Sequence, residues 1–299
     1  MANNSNRAGF WSDQVWAAMD DGVTTAASAI RVAQNVFPTV PLANVTSVPA
    51  DIFDPDRMSI AEGLTKPFVE LAVEIALTNG QVNQDPTGEA AITLSKLAAR
   101  SLALGEDMVI LQGNKAELHH TVRIESGGES LHNGILGLVH NEHIVVVQPP
   151  DGRAPTNSGG EILAAVAKGI ALLTKKLQAP PFALIEDTRA FAATWGSVIN
   201  GAPAYSVLNP VLTGGLFGTG AMPDHTGLLI ALGGDPTTIY CGADAKTEPT
   251  HQGSAGQYLF RTFERIQFVA RDPRAFVRLD FEYLAEGHRV RSVPGGRSA

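Results

Sequence analysis

The stretch TGEAAITLSKLAARSLALGEDMVILQG, Thr87 to Gly113, limits the choice of fold more than any other. Ile92, Leu94, Leu97, Ala98, Leu102 and Leu104 recur at helical spacing and make a wide apolar face. Gly105 is only a mild helix breaker and Gly113 is the better stop, so the helix is predicted to continue through Glu106 to Leu111. About 24 helical residues span about 36 Å, and whatever else the chain forms has to cover that face.

Upstream, Val15, Met19, Val23, Ala26 and Ile30 also recur at helical spacing, behind Ser12 as a plausible N-cap. This amphipathic helix either packs its stripe on the core of its own chain or offers it to a partner. Residues 36 to 85 are proline-punctuated and β-rich. They are predicted to form two long strands joined near DPDRMSIAEG, a hairpin with little to pack against in its own domain. Such a hairpin is marginal alone and wants a neighbour's surface.

Downstream, residues 114 to 160 show little periodicity, with ESGGES and PPDGRAPTNSGG as loops and HIVVVQ as a short buried strand. GEILAAVAKGIALLTKKL reads as helix, FALIED as strand, TRAFAATWGSVI as helix and GLLIALGG as strand. This alternation suggests an α/β subdomain over about 120 to 240. Two closing strands, 258 to 271 and 275 to 283, are expected to return the chain to the earlier elements, and residues 285 to 299 read as a flexible tail.

The closing strands carry five arginines, Arg261, Arg265, Arg271, Arg274 and Arg278, which raises the question of a phosphate-reading surface. Alternation puts Tyr258, Phe260, Ile266 and Phe268 on one face and Arg261, Arg265, Gln267 and Arg271 on the other. Glu264, Asp272, Asp280 and Glu282 are interleaved, so cross-strand pairing can neutralise the basic groups. The whole chain, with 22 Lys+Arg against 30 Asp+Glu and a formal charge of -8, does not favour wrapping nucleic acid. The single cysteine, Cys241, allows no intramolecular disulfide and no structural zinc pattern. No run reaches the roughly 18 apolar residues of a membrane span. The expectation is a cytoplasmic, unprocessed protein that keeps clear of membranes.

No constellation of nucleophile, base and oxyanion donor stands out, so an enzyme, and in particular a standalone hydrolase or protease, is not expected. His132, His140 and His143 lack the spacing of a zinc-protease motif, and His119 and His120 would point to opposite faces of a strand. The cluster GGLFGTGAMP has no following Lys-Ser/Thr and reads as a loop. Glu106-Asp107 and Asp20-Asp21 are adjacent in sequence, so they diverge by about 100° on a helix. The expected catalytic, cofactor and metal sites are therefore none.

In order, these pieces resemble the encapsulin shell proteins, also known as linocin-like bacteriocins, which share the Hong Kong 97 phage major capsid-like fold, an α+β fold. FWSDQVWAAMDDGV is similar to that family's N-terminal amphipathic helix. KPFVELAVEIAL followed by LAARSLALGEDMVILQG resembles its strand and spine helix with an acidic pair. PPFALIEDTRAFAATWGSVINGAPAYSVLNPVLTGGLF resembles its axial domain, and LFRTFERIQFVARDPRAFVRL its closing strands. The likeness covers roughly residues 10 to 283 and is weakest over 113 to 157 and after 284.

The resemblance implies an N-terminal helix on the luminal, cargo-docking side (1–35) and an extended β loop (36–85). It also implies a peripheral domain with the spine helix (86–120 and 241–284), an axial domain with a pore loop (121–240) and the tail (285–299). It implies a homo-oligomeric icosahedral cage, of about 60 subunits as the minimal case. The cage would enclose a cargo enzyme, such as a dye-decolourising peroxidase or ferritin-like protein, through a C-terminal targeting peptide. Val15, Met19, Val23 and Ile30 are the candidates for docking that peptide. Asn200, Gly201, Ala202, Pro203, Ala204 and Tyr205 would form the fivefold pore loop. No charged residue occurs from Ser197 to Val211, so the pore is expected to select by size and hydrogen bonding rather than sign. The loop near Thr78 and Asn79 lacks an aromatic, so no flavin is expected. The rival reading is a phage or prophage major capsid protein packaging DNA. The amphipathic helix already begins by residue 12, so the scaffolding segment usual in phage subunits is not expected ahead of it.

Overall fold

The computed structural model describes residues 7, 9–54, 57–61, 64–147, 159–252 and 256–282; the expected tail from 285 lies outside them. The chain forms two units, 1–138 with 234–273 and 139–233 with 274–299.

The first unit is built on the long helix, Glu89–Gln112, 24 residues with Gly113 as its C-cap. Leu102, Val109, Ile110 and Leu111 are fully buried, each contributing about 1.5–3 kcal/mol relative to exposure. Gly113 stops the helix at φ 64°, where a side chain is strained. A Cβ there would lie 2.2 Å from the backbone nitrogen of Gly134, so the position also permits a close backbone crossing. Gly105 is not a break: its bare Cα lets Val122 approach to where a Cβ would be 3.1 Å away.

Against the helix lies a five-stranded sheet in the order Thr39–Pro41, Thr237–Gln252, Gln257–Ala270, Val69–Thr78 and Val122–Ser126. The first pair is parallel and the rest are antiparallel. Val69–Thr78 is thus an inner strand of this sheet and not one leg of the expected hairpin. The reason is its composition, since Leu71, Val73, Ile75 and Leu77 are all buried and need a layer on that face. The arm is shorter than 36–85: Ser47–Pro49 pairs with Thr65–Pro67, and Ile52–Asp54 pairs with Ser59–Ala61 beyond them. Its root is anchored by Val48 and Ala50 on Phe68, Tyr240 and Val269. Its outer part leaves Ile52, Met58, Ile60 and Leu64 exposed, Met58 by 90%.

The second unit has a mixed five-stranded sheet in the order Gly215–Thr219, Phe182–Asp187, Thr226–Ala231, Phe276–Phe281 and Ile144–Val147. The helix Gly159–Lys175 buries Ile162, Val166 and Leu173 in its core with Leu184, Leu229 and Leu279. Gly169 lets that helix close on Leu229, where a Cβ would sit 2.7 Å from the leucine Cδ2.

Two expectations are corrected here. The glycine-rich GGLFGTGAMP contains an edge strand, Gly215–Thr219, parallel to Phe182–Asp187; Gly218 is where the Phe191 ring lies, 2.5 Å from any added Cβ, so glycine serves packing there. The two arginine-bearing strands do not share a sheet: Gln257–Ala270 belongs to the first unit and Phe276–Phe281 to the second. Pro273, which opens a short 3-10 turn through Ala275, separates them. Alternation reveals a strand's faces but not its neighbours.

Candidate functional site

The first helix runs Asp13–Ser28, with the Ser12 hydroxyl accepting from the Val15 N–H. Trp16, Met19, Val23, Ala26 and Ala27 are buried in the chain itself. Of the four docking candidates, Met19 and Val23 retain no exposed surface, Val15 is half-buried and Ile30 is 37% exposed. The apolar stripe is therefore mostly core, and only its ends reach solvent.

The residues before the helix are held by contacts that spacing did not reveal. Phe10 and Trp11 stack edge-on or tilted against Phe260, with ring centroids 5.3 and 5.4 Å away. The Trp11 Nε1–H donates to the Asp85 carbonyl at 3.0 Å. Arg7 lies 4.6 Å over the Trp16 ring and forms a forked pair with Asp20 at 2.6 and 2.8 Å. The aromatic density of FW and W in this segment was the available signal.

Just past the helix, Arg31 is 96% buried by its own chain, being 4% exposed. Its Nε lies 2.7 Å from Glu106, its Nη2 2.5 Å from Glu264 and its Nη1 2.9 Å from Asp244. It therefore joins the first helix's end to the long helix and to both strands of the central hairpin. Gln34 donates to the other oxygen of Glu106 at 2.6 Å. Asp107 accepts from the Val32 and Ala33 N–H groups at 2.8 Å each, capping the short helix Ala33–Val36. The acidic pair is thus structural.

Burial pushes the carboxyl groups of this cluster up. Glu106 is raised by burial despite Arg31, and Glu264 well above its ordinary value by burial and then by Glu106. Asp107 reaches about 7, through burial and then Glu106, against its two N–H donors. Burial tends to lower the Arg31 pKa, but Glu106, Glu264 and Asp244 outweigh it and raise it. Beside this cluster the Cys241 thiol is pushed to about 12, by burial and then by Asp244 and Glu264, which leaves it protonated and inert at neutral pH.

The six pore-loop candidates form a compact turn. Val198–Ile199 pairs with Ala202–Pro203, and Asn200 and Gly201 both have positive φ, 49° and 84°. This is the primed two-residue hairpin that Asn-Gly favours. Asn200 and Gly201 are at the exposed tip, Ala204 is fully buried, and its N–H donates to the Ser197 carbonyl at 2.9 Å. Tyr205 stacks on Trp195 with centroids 4.2 Å apart, which fixes the hairpin to the preceding helix, Thr188–Gly196. The Asp187 side chain caps that helix, accepting from Arg189 and Ala190, and also accepts from Thr226.

Its neighbour Glu186 is fully buried, and its carboxyl pKa is pushed up to about 8, by burial and further by Asp187, against the Thr194 hydroxyl. Thr194 Oγ1 lies 3.0–3.1 Å from both Glu186 oxygens and 3.0 Å from the Ala190 carbonyl. A hydroxyl has one proton to donate. With Glu186 protonated and donating to Thr194, and Thr194 donating to Ala190, all three groups are satisfied.

Arg261, Arg265, Arg271 and Arg278 have partners. Arg261 bonds Glu70 at 2.9 Å and Glu125 at 2.5 Å and lies over Phe263, Arg265 lies over Phe68, and Arg271 bonds Thr238 and Tyr240. Arg278 forks onto Asp280 at 2.7 and 2.8 Å. His119 and His120 do not diverge as a strand would require: they precede the strand Val122–Ser126, with ring centroids 4.1 Å apart. His143 is buried, its Nδ1 3.2 Å from the Phe276 carbonyl. Among the described residues no three His, Cys, Asp or Glu side chains are grouped to hold a metal, and no helix is long and apolar enough to cross a membrane.

The sequence matches the family model described as "Encapsulating protein for peroxidase" over residues 7–262. The chain belongs to this encapsulin family. No curated protein sequence matches it. Among solved structures, it is similar to the virus-like particle from Pyrococcus furiosus, with TM-score 0.66 and 15% identity over 89% of this chain and 99% of that one. It is also similar to the encapsulin complex of Synechococcus elongatus, with TM-score 0.53 and 10% identity over 82% and 85%. The capsid of Myoviridae Phage XM1 matches with TM-score 0.54 and 10% identity over 83% and 90%. These likenesses establish the Hong Kong 97-like capsid fold, so this encapsulin-family chain is a shell or capsid protein.

Two outcomes follow from the buried charges. Replacing Arg31 by Met leaves Glu106 and Glu264 buried without a cation, so the stability loss should be about 3–5 kcal/mol. Asp244, whose side chain is 54% exposed, should cost no more than about 1 kcal/mol as Asp244→Asn. Denaturant unfolding that ranks the two equally would refute the hub. The second concerns pH. A carboxyl whose pKa is raised by folding stabilises the fold while protonated, and that contribution is lost as pH rises from about 4 through its folded value, here about 7 for Asp107 and about 8 for Glu186. Glu186→Gln should unfold within about 1 kcal/mol of the parent near pH 4 and lose less stability than the parent between about pH 4 and pH 8. Parallel pH profiles for the two proteins would show that Glu186 does not ionise in this range.

Proposed function

We propose that this protein assembles into a closed icosahedral shell in the cytoplasm that encloses cargo enzymes through their C-terminal targeting peptides. The observation that carries the assembly is the arm, where Ile52 and Ile60 on its two-stranded ribbon and Met58 and Leu64 beside it are exposed. Such apolar area is unprofitable in water and contributes about 25 cal/mol per Å² once a neighbouring copy covers it. A cage of about 60 subunits is the minimal symmetric solution. Ile30 and the half-buried Val15 are the parts of the first helix left for a targeting peptide, and a dye-decolourising peroxidase or ferritin-like protein is the kind of cargo expected.

The DNA-packaging capsid remains the alternative reading, supported by the likeness to a phage capsid. The ion pairs of Arg261 and Arg278 and the hydrogen bonds of Arg271 favour a shell around protein, because these cations already have partners.

The double substitution Ile52→Asp with Ile60→Asp should give folded subunits that form no shells in electron micrographs. Ile30→Asp should give intact shells from which co-purifying cargo is lost in mass spectrometry. Val23 is unsuitable for that test, since a buried aspartate would unfold the helix packing. Wild-type shell yields from the arm variant would refute the assembly role, and unchanged cargo with Ile30→Asp the docking role. Purified particles that carry DNA and no protein cargo would favour the capsid.

The hairpin tip Asn200–Gly201, with Ala202 and Pro203, is the proposed fivefold pore lining. Lacking charge, it should pass small cations and anions of equal size at similar rates. A strong preference for one sign in permeation of intact shells would count against it.

A further inference from the structure

The foot of the arm, within the first unit, carries a second feature. A cavity of about 290 Å³ opens there, lined by Ala50, Ile52, Leu64, Lys66, His132 and Phe268 among others. Its walls are almost wholly apolar, and the volume is near the lower end of the roughly 300–1,000 Å³ range of small-molecule sites.

The polar side chains in the lining are Thr65, His132 and Lys66, and Lys66 brings the ammonium. Its strand, Thr65–Pro67, pairs with Ser47–Pro49, placing Lys66 opposite the buried Val48. The ammonium lies 5.3 Å from the centroid of the Phe268 ring. Among the described residues no carboxylate forms an ion pair with it, whereas Arg261 and Arg265 on the same sheet both reach Glu70. Burial holds its pKa below the ordinary lysine value, as expected for a cation facing an aromatic ring and little water. A half-desolvated ammonium is attracted to an anion, and the apolar walls to a hydrocarbon body. Either alone is common, but here both occur in one cavity.

We propose that this cavity binds a small apolar carboxylate, with its head group on the Lys66 ammonium and its hydrocarbon body among Ile52, Leu64 and Phe268. This goes beyond the role in assembly and does not depend on which cargo is enclosed. The short cavity limits the ligand to roughly the size of octanoate or benzoate. The site would make the arm's foot responsive to a metabolite-sized anion, because Ile52 and Leu64 are arm residues.

The test uses the full-length protein in assembled shells, with octanoate, octanol and acetate titrated by calorimetry. Octanoate should bind at least about tenfold more tightly than octanol, the size of effect expected of a hydrogen bond to a charged group, and acetate should not bind. Lys66→Met should abolish the preference for octanoate over octanol, and Lys66→Arg should retain it. Equal affinity for octanoate and octanol would overturn the proposal. So would an octanoate affinity unchanged in Lys66→Met, or octanoate binding to dissociated subunits but not to shells, which would mean that a neighbouring copy fills the cavity. Ile60 lies outside the cavity lining, so loss of shells in Ile60→Asp alone should leave the octanoate affinity of the subunits intact, and the two readings fail separately.

Discussion

The first unit depends on one buried cation. Arg31 is removed from water and held by two carboxylates that are themselves fully buried, Glu106 and Glu264, and by Asp244 at the surface. A buried ion pair rarely adds net stability compared with an apolar core, but losing one partner is severe. Its consequence is specificity of position. The first helix, the long helix and the central hairpin meet in the one arrangement that brings three acids to the guanidinium. Asp107, next to Glu106, turns the same corner by capping Ala33–Val36. A repeated shell subunit needs such rigidity, because every interface copies the geometry of the unit.

The same economy appears in the second unit around strand Phe182–Asp187. Asp187 caps the helix leading to the Asn200–Gly201 hairpin, while the buried carboxyl of Glu186, its pKa pushed up to about 8, lies within hydrogen-bond distance of Thr194. Glycines flank Glu186 in both neighbouring strands, Gly218 and Gly227, leaving room for Phe191 over one of them. The turn that carries the proposed pore thus hangs from a helix whose start is fixed by one acid and whose last turn is held by another.

Much of the local structure was legible. The long helix and its stop at Gly113, the first helix with its Ser12 cap, and the strands at 144–147, 182–187 and 226–231 follow from periodicity and glycine chemistry alone. What was missed has common causes. Strand Gly215–Thr219 was hidden because its glycines signal a loop unless Phe191 is known to lie above Gly218. The inner position of Val69–Thr78 was hidden because alternation shows which face of a strand is buried but not which strands pair with its two edges. The stripe of Val15, Met19, Val23 and Ile30 was visible, but which members reach solvent depends on the angle at which the long helix crosses it.

The sequence by itself determined the local elements, the absence of a membrane-length apolar run, the interleaving of acids with the arginines, and the order of motifs that identifies a capsid-like shell family. Those are properties of residues near one another along the chain, where spacing and backbone preference act directly. Only the tertiary structure decided that Arg31 meets Glu106 and Glu264, that the two arginine strands enter different sheets, and that Lys66 faces an apolar cavity without a carboxylate partner among the described residues. Each joins residues distant in sequence, where burial alters charge energetics far more than any local preference does.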